Sequence, residues 1–107
     1  MSMAPVEKKE IMSVYVDALR SCFRSDRWPY DRSAHLFADT VTELHRFAKG
    51  IGLRQAWFQS RLDFPHYDLT SSKRLQAVRA GAITVETRYM VDFMHERRAK
   101  RHENARG

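Results

Sequence analysis

The densest grouping of chemically capable residues in the chain is Pro65-His66-Tyr67-Asp68. Pro65 restricts Phe64 to an extended conformation, and alternation along the residues that follow turns His66 and Asp68 to the same side. A histidine beside a carboxylate can move protons near neutral pH, because the carboxylate fixes the imidazole tautomer and stabilises its charged form. This makes His66 and Asp68 the catalytic candidates, with Tyr67 beside them as a ligand-binding residue. The same pair can bind a divalent metal. The plainer alternative is a structural pair, with Asp68 helping to cap the next helix. The segment is expected to be a polar turn leading into that helix.

Lys73 and Arg74 fall in the first helical turn after this segment. Cations there oppose the helix dipole, which favours negative charge at its N-terminus. Their placement makes sense if an anion docks on the free amides of residues 70–72, with a phosphate gripped by the guanidinium fork of Arg74. Both side chains pointing into water is the competing account.

A second group is His35, Asp39 and His45. His35 shares a strand face with Phe37, and His45 falls close to the apolar stripe of a helix. His35 and Asp39 could form the opposite wall of the site. His35 and His45 with Asp39 could complete a metal site with His66 or Asp68, leaving one position open for water. The candidate ligands are His35, His66 and Asp68, and a phosphoesterase would need His35, His66 and one or more of Asp17, Asp39 and Asp68. Against this, Asp39 can simply support a helix start, and His45 can be a satisfied core histidine. Asp17 ends the first strand, where residues of α/β sheets commonly face a ligand crevice. Trp28 and Tyr30 follow in a loop that could close over it and stack on a ring, or Trp28 could cap the core.

The chain has no glycine-rich phosphate loop, no serine nucleophile elbow and no HExxH. Cys22 is the single cysteine, so neither an intrachain disulfide nor a multi-cysteine zinc site can form. Its neighbours Arg20 and Arg24 could lower its pKa, but a lone thiol without a partner is a weak nucleophile candidate.

These residues need a frame. Alternation over residues 11–17 predicts a strand with Val14 and Val16 on one face. Residues 21–33, interrupted by Pro29, read as a long loop, and residues 34–38 as a second strand. Thr40 and Glu43 make a capping box before Val41, Leu44, Phe47, Ala48 and Ile51, and Gly52 suits the C′ position, so a helix is predicted over 41–50. Residues 55–59 read as a strand. Thr70, Ser71 or Ser72 caps a second helix that Gly81 stops, and Ile83 and Val85 mark another strand. Thr87 opens a last helix with Met90, Phe93 and Met94 as its apolar stripe. The expected class is α/β, with α+β as the alternative: a small sheet of three to five short strands with about three helices packed against it.

A chain of 107 residues, 43% hydrophobic, suits one domain. The divisions expected are a flexible extension over 1–11, a compact domain over 12–96 and a basic solvated tail over 97–107. Met12 could be an alternative start. A core this small favours a homo-oligomer. The formal charge of +6 favours anionic partners, although much of the excess lies in Arg97-Arg98-Ala99-Lys100-Arg101. With no apolar run near the ~20 residues of a membrane span and no signal-peptide core, the expectation is a soluble cytoplasmic protein without a membrane partner.

The run from Asp17 through Trp28-Pro29, then His35-Leu36-x-x-Asp39, Glu43-Leu44-His45-x-Phe47-Ala48, Gly52, His66-Tyr67-Asp68 and Gly81-Ala82 resembles the small bacterial and phage proteins grouped as domain of unknown function 4031. The resemblance covers about residues 12–90. It implies a compact domain and a site at these residues, and carries no activity with it. The chain departs from the pattern after Trp28-Pro29, where a His-Gly-like pair is replaced by Tyr30-Asp31-Arg32, and between Phe58 and His66, where Arg61 and Asp63 are inserted.

The leading functional expectation is a binding module for a phosphate-bearing ligand, nucleotide-like, that sequesters or processes it. A metal-dependent phosphoesterase using His and Asp ligands is the alternative, with a divalent metal as its cofactor. Nucleic-acid binding through the last helix ranks third, because that helix lacks interleaved aromatic and basic residues.

Overall fold

The computed structural model of the chain describes residues 13–106. The extension expected over 1–11, and the start of the first strand at Ile11, lie outside the described residues. Six short strands and three helices follow in the order β1 (Val14–Val16), β2 (Arg20–Ser21), β3 (Arg32–Ala38), α1 (Val41–Gly50), β4 (Phe58–Ser60), β5 (Pro65–Leu69), α2 (Ser71–Arg79), β6 (Ile83–Thr84) and α3 (Thr87–Arg106). The fold is a small α/β domain, as the sequence predicts.

The sheet runs β4-β5-β3-β1-β6, with β2 paired to the start of β3. All pairs are antiparallel except β1 with β6. It follows that β5 and β6 run the same way, and α2 carries the chain across β3 and β1 between them. The alternation in β1 buries Val14 and Val16 on one face and leaves Tyr15 on the other. On the first face Leu36, Tyr67 and Leu69 of the sheet pack against Leu44, Phe47 and Ala48 of α1 and Ala77 of α2. Burial of Leu36, Leu44 and Leu69 is nearly complete, and each contributes roughly 1.5–3 kcal/mol. On the second face Phe37 and Phe64 pack against Met90, Phe93 and Met94 of α3. No helix among the described residues is long and apolar enough to cross a membrane.

The cap of α1 works through side chains. Thr40 Oγ1 accepts from the Glu43 amide at 3.1 Å, and the Thr40 hydroxyl donates to the Glu43 carboxylate. Gly52 follows with φ of 81°, a left-handed position that favours glycine.

Four expectations differ from what is observed. The segment read as a strand over 55–59 is a single 3₁₀ turn over Gln55–Trp57, with β4 starting only at Phe58. The turn expected around Pro65 is strand β5; the turn lies earlier, where the Phe64 amide donates to the Arg61 carbonyl. Proline is tolerated as the first residue of a strand, where its missing N–H costs no ladder bond. The loop read over 21–33 is shortened by pairing of Arg20 with Ser33 and Ser21 with Arg32. The basic stretch from Arg97, read as the frayed and solvated end of a helix, continues as helix to Arg106 but is not left wholly to solvent: Arg98 and Arg101 hold Asp63 of the β4–β5 turn at 3.1 and 3.0 Å.

Candidate metal centre

The centre is built where β3 and β5 cross-pair. His35 of β3 stands directly opposite Asp68 of β5, and His66 lies two residues from Asp68 on the same face of β5. Gln59 of β4 is the cross-strand neighbour of His66. Period-two alternation and antiparallel register therefore gather His35, His66 and Asp68 on the sheet face opposite α1 and α2.

Each imidazole is already held through Nδ1. His66 Nδ1 lies 2.7 Å from the Phe64 carbonyl oxygen, and His35 Nδ1 lies 2.7 Å from Asp17 Oδ2. Both partners are acceptors, so both Nδ1 atoms carry the proton. The Phe64 ring stacks on His66 at 4.6 Å, and the two imidazoles meet edge to face at 5.1 Å. This leaves the Nε2 atoms aimed at one carboxylate oxygen. His66 Nε2 is 3.3 Å and His35 Nε2 is 3.9 Å from Asp68 Oδ1. One ring nitrogen from each histidine and a carboxylate oxygen of Asp68 all lie within 4.8 Å of one another.

A neutral imidazole with its proton on Nδ1 presents a lone pair at Nε2. A lone pair facing a carboxylate oxygen at 3.3 Å needs a positive centre between them. That centre is either a second proton on His66 or a metal ion. Ligand atoms around a tetrahedral ion with bonds of ~2.0–2.2 Å sit roughly 3.3–3.6 Å apart. The His66–Asp68 separation already has that value, and His35 is a few tenths of an ångström wider. With a second proton on His66, its hydrogen bond holds the Asp68 carboxyl below its usual range; burial opposes this, and the charges of His66, His35 and Arg61 assist. His66 is buried while His35 and Asp68 are partly exposed, so one side of the group is open to solvent.

Asp17 has a different place from the one expected. It is fully buried. Its Oδ1 accepts the His35 backbone amide at 2.6 Å while Oδ2 takes the ring. Asp17 faces His35, yet the next strand pair joins Arg20 to Ser33, so the β1–β2 side uses three steps where β3 uses two. This is a bulge, a device that re-aims a side chain at a sheet edge or site.

The remaining candidates divide. Asp39 does not join His35 as a wall: it lies past the end of β3 and accepts from Tyr15 Oη at 3.1 Å. Tyr67 is turned by strand alternation to the α1 face, where its hydroxyl meets His45 Nδ1 at 2.8 Å. His45 is thus a half-buried histidine with a partner, on the other side of the sheet from His66 and Asp68. Lys73 and Arg74 have backbone partners. Lys73 Nζ donates to the Ile51 carbonyl at 2.7 Å, beyond the end of α1, and Arg74 Nε donates to the Asp17 carbonyl at 2.8 Å. A cation that is unfavourable at the start of α2 is favourable at the C-terminus of α1, which accounts for Lys73 without an anion.

A cavity of about 490 Å³ opens beside Asp68, walled by Trp28, Tyr30, Trp57, Gln59 and Lys73 among others. Gln59, Phe64 and Trp57 were not singled out from sequence. The only available signal was their closeness in the chain to His66.

The sequence model of a family described as "Protein of unknown function (DUF4031)" matches residues 14–97. The chain belongs to that family. The matched span includes Asp17, His35, His66 and Asp68 of this chain. Neither the curated proteins nor the solved structures yield a match.

Proposed function

We propose that this DUF4031 protein is a metal-dependent phosphoesterase, in which His35, His66 and Asp68 hold one divalent ion. The observation that carries the reading is the convergence of two Nε2 atoms on Asp68 Oδ1 with both Nδ1 atoms already bonded to acceptors. Carboxylate–histidine–metal chains of this kind are how proteins fix the tautomer of a ligating histidine. Three protein ligands with an open side is the pattern of catalytic rather than structural zinc.

When bound, such an ion lowers the pKa of a coordinated water to about 7 and draws charge from a phosphoryl oxygen. With the ion held by His35, His66 and Asp68, water would replace the ester oxygen at phosphorus, and the proton it gives up would pass to the departing oxygen. Asp17 keeps His35 in its ligating tautomer, and Arg61, near enough to act on Asp68, offers charge to the phosphoryl group. The positive net charge of the chain draws an anionic substrate.

Binding of a phosphate ligand without turnover uses the same residues and is the runner-up. A nucleic-acid role for α3 ranks lower, since Arg98 and Arg101 are engaged with Asp63. The test is elemental analysis of protein purified from zinc-supplemented cells, paired with hydrolysis of bis(p-nitrophenyl) phosphate. Close to one zinc per chain and chelator-sensitive hydrolysis are expected. Metal-free protein, or hydrolysis indifferent to chelator, would sink the proposal.

A further inference from the structure

We infer that the cavity beside Asp68 is a subsite for a planar aromatic ring, which narrows the substrate to a nucleotide or similar ring-bearing phosphate. The inference rests on the phosphoesterase reading for the phosphate end only. The ring end stands on separate residues.

Three large aromatics wall this cavity, and none of them joins either core cluster. Trp57 and Tyr30 are 46% and 49% exposed. Large apolar rings left beside a cavity commonly mark a binding surface. They are also fixed in place. Trp28 Nε1 donates to the Arg32 carbonyl at 3.1 Å, and a turn over residues 25–28 is closed by reciprocal backbone bonds between Ser25 and Trp28. Tyr30 meets the Trp28 ring edge-on at 5.2 Å. Trp57 sits on the rigid 3₁₀ turn, with the Arg54 guanidinium 5.8 Å from its ring centroid. Rings held this way lose little freedom on stacking against a ligand.

The polar wall is of the right kind as well. Gln59 offers both a donor and an acceptor, the pair needed to read the edge of a base. Asp68 is shared between the cavity and the candidate metal centre. A ligand with its ring against these aromatics therefore lies beside Asp68, the member of the candidate centre that lines the cavity. The volume, about 490 Å³, falls within the range of small-molecule pockets, roughly 300–1,000 Å³.

The experiment compares adenosine monophosphate, ribose 5-phosphate and adenosine by calorimetry on the zinc-incubated full chain and on W57A, with zinc content measured in both. Trp57 is half exposed, so W57A should keep the fold; thermal melts check this. We expect adenosine monophosphate to bind at least about tenfold tighter than ribose 5-phosphate, the order of one base–aromatic stack. W57A should remove that preference while zinc content is unchanged. Adenosine lacks the phosphate and should bind the metal-free chain too, weakly and dependent on Trp57. Failure of the zinc-incubated chain to retain any zinc, with adenosine still bound in a Trp57-dependent way, would overturn the metal reading and keep the ring subsite. Equal affinity for the two phosphates, or no Trp57-dependent binding of adenosine, would overturn the ring subsite and leave the metal reading standing.

Discussion

Asp17 and His35 are 18 residues apart and share two hydrogen bonds, one from the His35 amide to Oδ1 and one from its ring to Oδ2. A carboxylate with no solvent exposure thus fixes both the backbone and the imidazole of the residue opposite Asp68. In the proposed site Asp17 would act through His35, as a positioning residue. Asp17→Asn keeps the shape but offers His35 one acceptor in place of two. Zinc affinity should fall about 10–100-fold, the usual effect of losing such a partner. Competition with a chromophoric chelator measures it. Unchanged affinity would mean that the pair serves the fold alone.

Removal of a proposed ligand should act more severely. His66→Ala is expected to lower hydrolysis of bis(p-nitrophenyl) phosphate by more than about a hundredfold, beyond the effect of an outer partner. Metal-linked stability gives an independent check. At a free zinc concentration of ~100 Kd, binding adds about 2.7 kcal/mol, which raises Tm by roughly 10 °C or more in a domain of this size. The rise should appear in the unaltered chain and vanish in His66→Ala and Asp68→Asn. An equal rise in all three proteins would point to zinc on other groups.

The parts of this site legible in the sequence were those governed by local spacing. Period-two alternation puts His66 and Asp68 on one side, although a turn is expected there, and residue type alone makes His35, His66 and Asp68 candidate ligands, with Asp17 and Asp39 also open. Thr40, Glu43 and the Leu44–Phe47–Ala48 stripe located α1 to the residue. What could not be read was register. That His35 faces Asp68 and not some other residue depends on how β3 pairs with β5, which is a non-local choice. Lys73 shows the same limit. Its conflict with the dipole of α2 was real, but the group it answers to is a carbonyl 22 residues earlier, at the end of another helix.

Tyr67 offers a control on the opposite face of the sheet. Its hydroxyl is buried with His45 Nδ1 as its partner, and burial pushes its phenol pKa up. Tyr67→Phe leaves the imidazole nitrogen without that partner and should cost about 1 kcal/mol. Chemical denaturation would report the loss. Zinc content and hydrolysis should stay as they were, because Tyr67 faces away from His66 and Asp68. A loss of metal in Tyr67→Phe would show that the two faces are coupled.

The anchoring of α3 should be acid-sensitive. Arg101 first, with Arg98 assisting, holds the Asp63 carboxyl below its ordinary value of 3.8 against an opposing effect of burial. A carboxyl with a lowered folded pKa stabilises the folded state fully above its unfolded value, and this contribution is lost as pH falls through the folded one. The window therefore lies below pH 3.8, well away from neutrality. Because both arginines are partly exposed, the effect is small and salt screens it. Thermal melts of the unaltered chain and Asp63→Asn should differ by a few degrees at most at pH 7. The difference should shrink in high salt and close as the solution is taken below pH 3.8. A gap that persists undiminished at pH 2 would mean that Asp63 holds α3 by its shape and not by its charge.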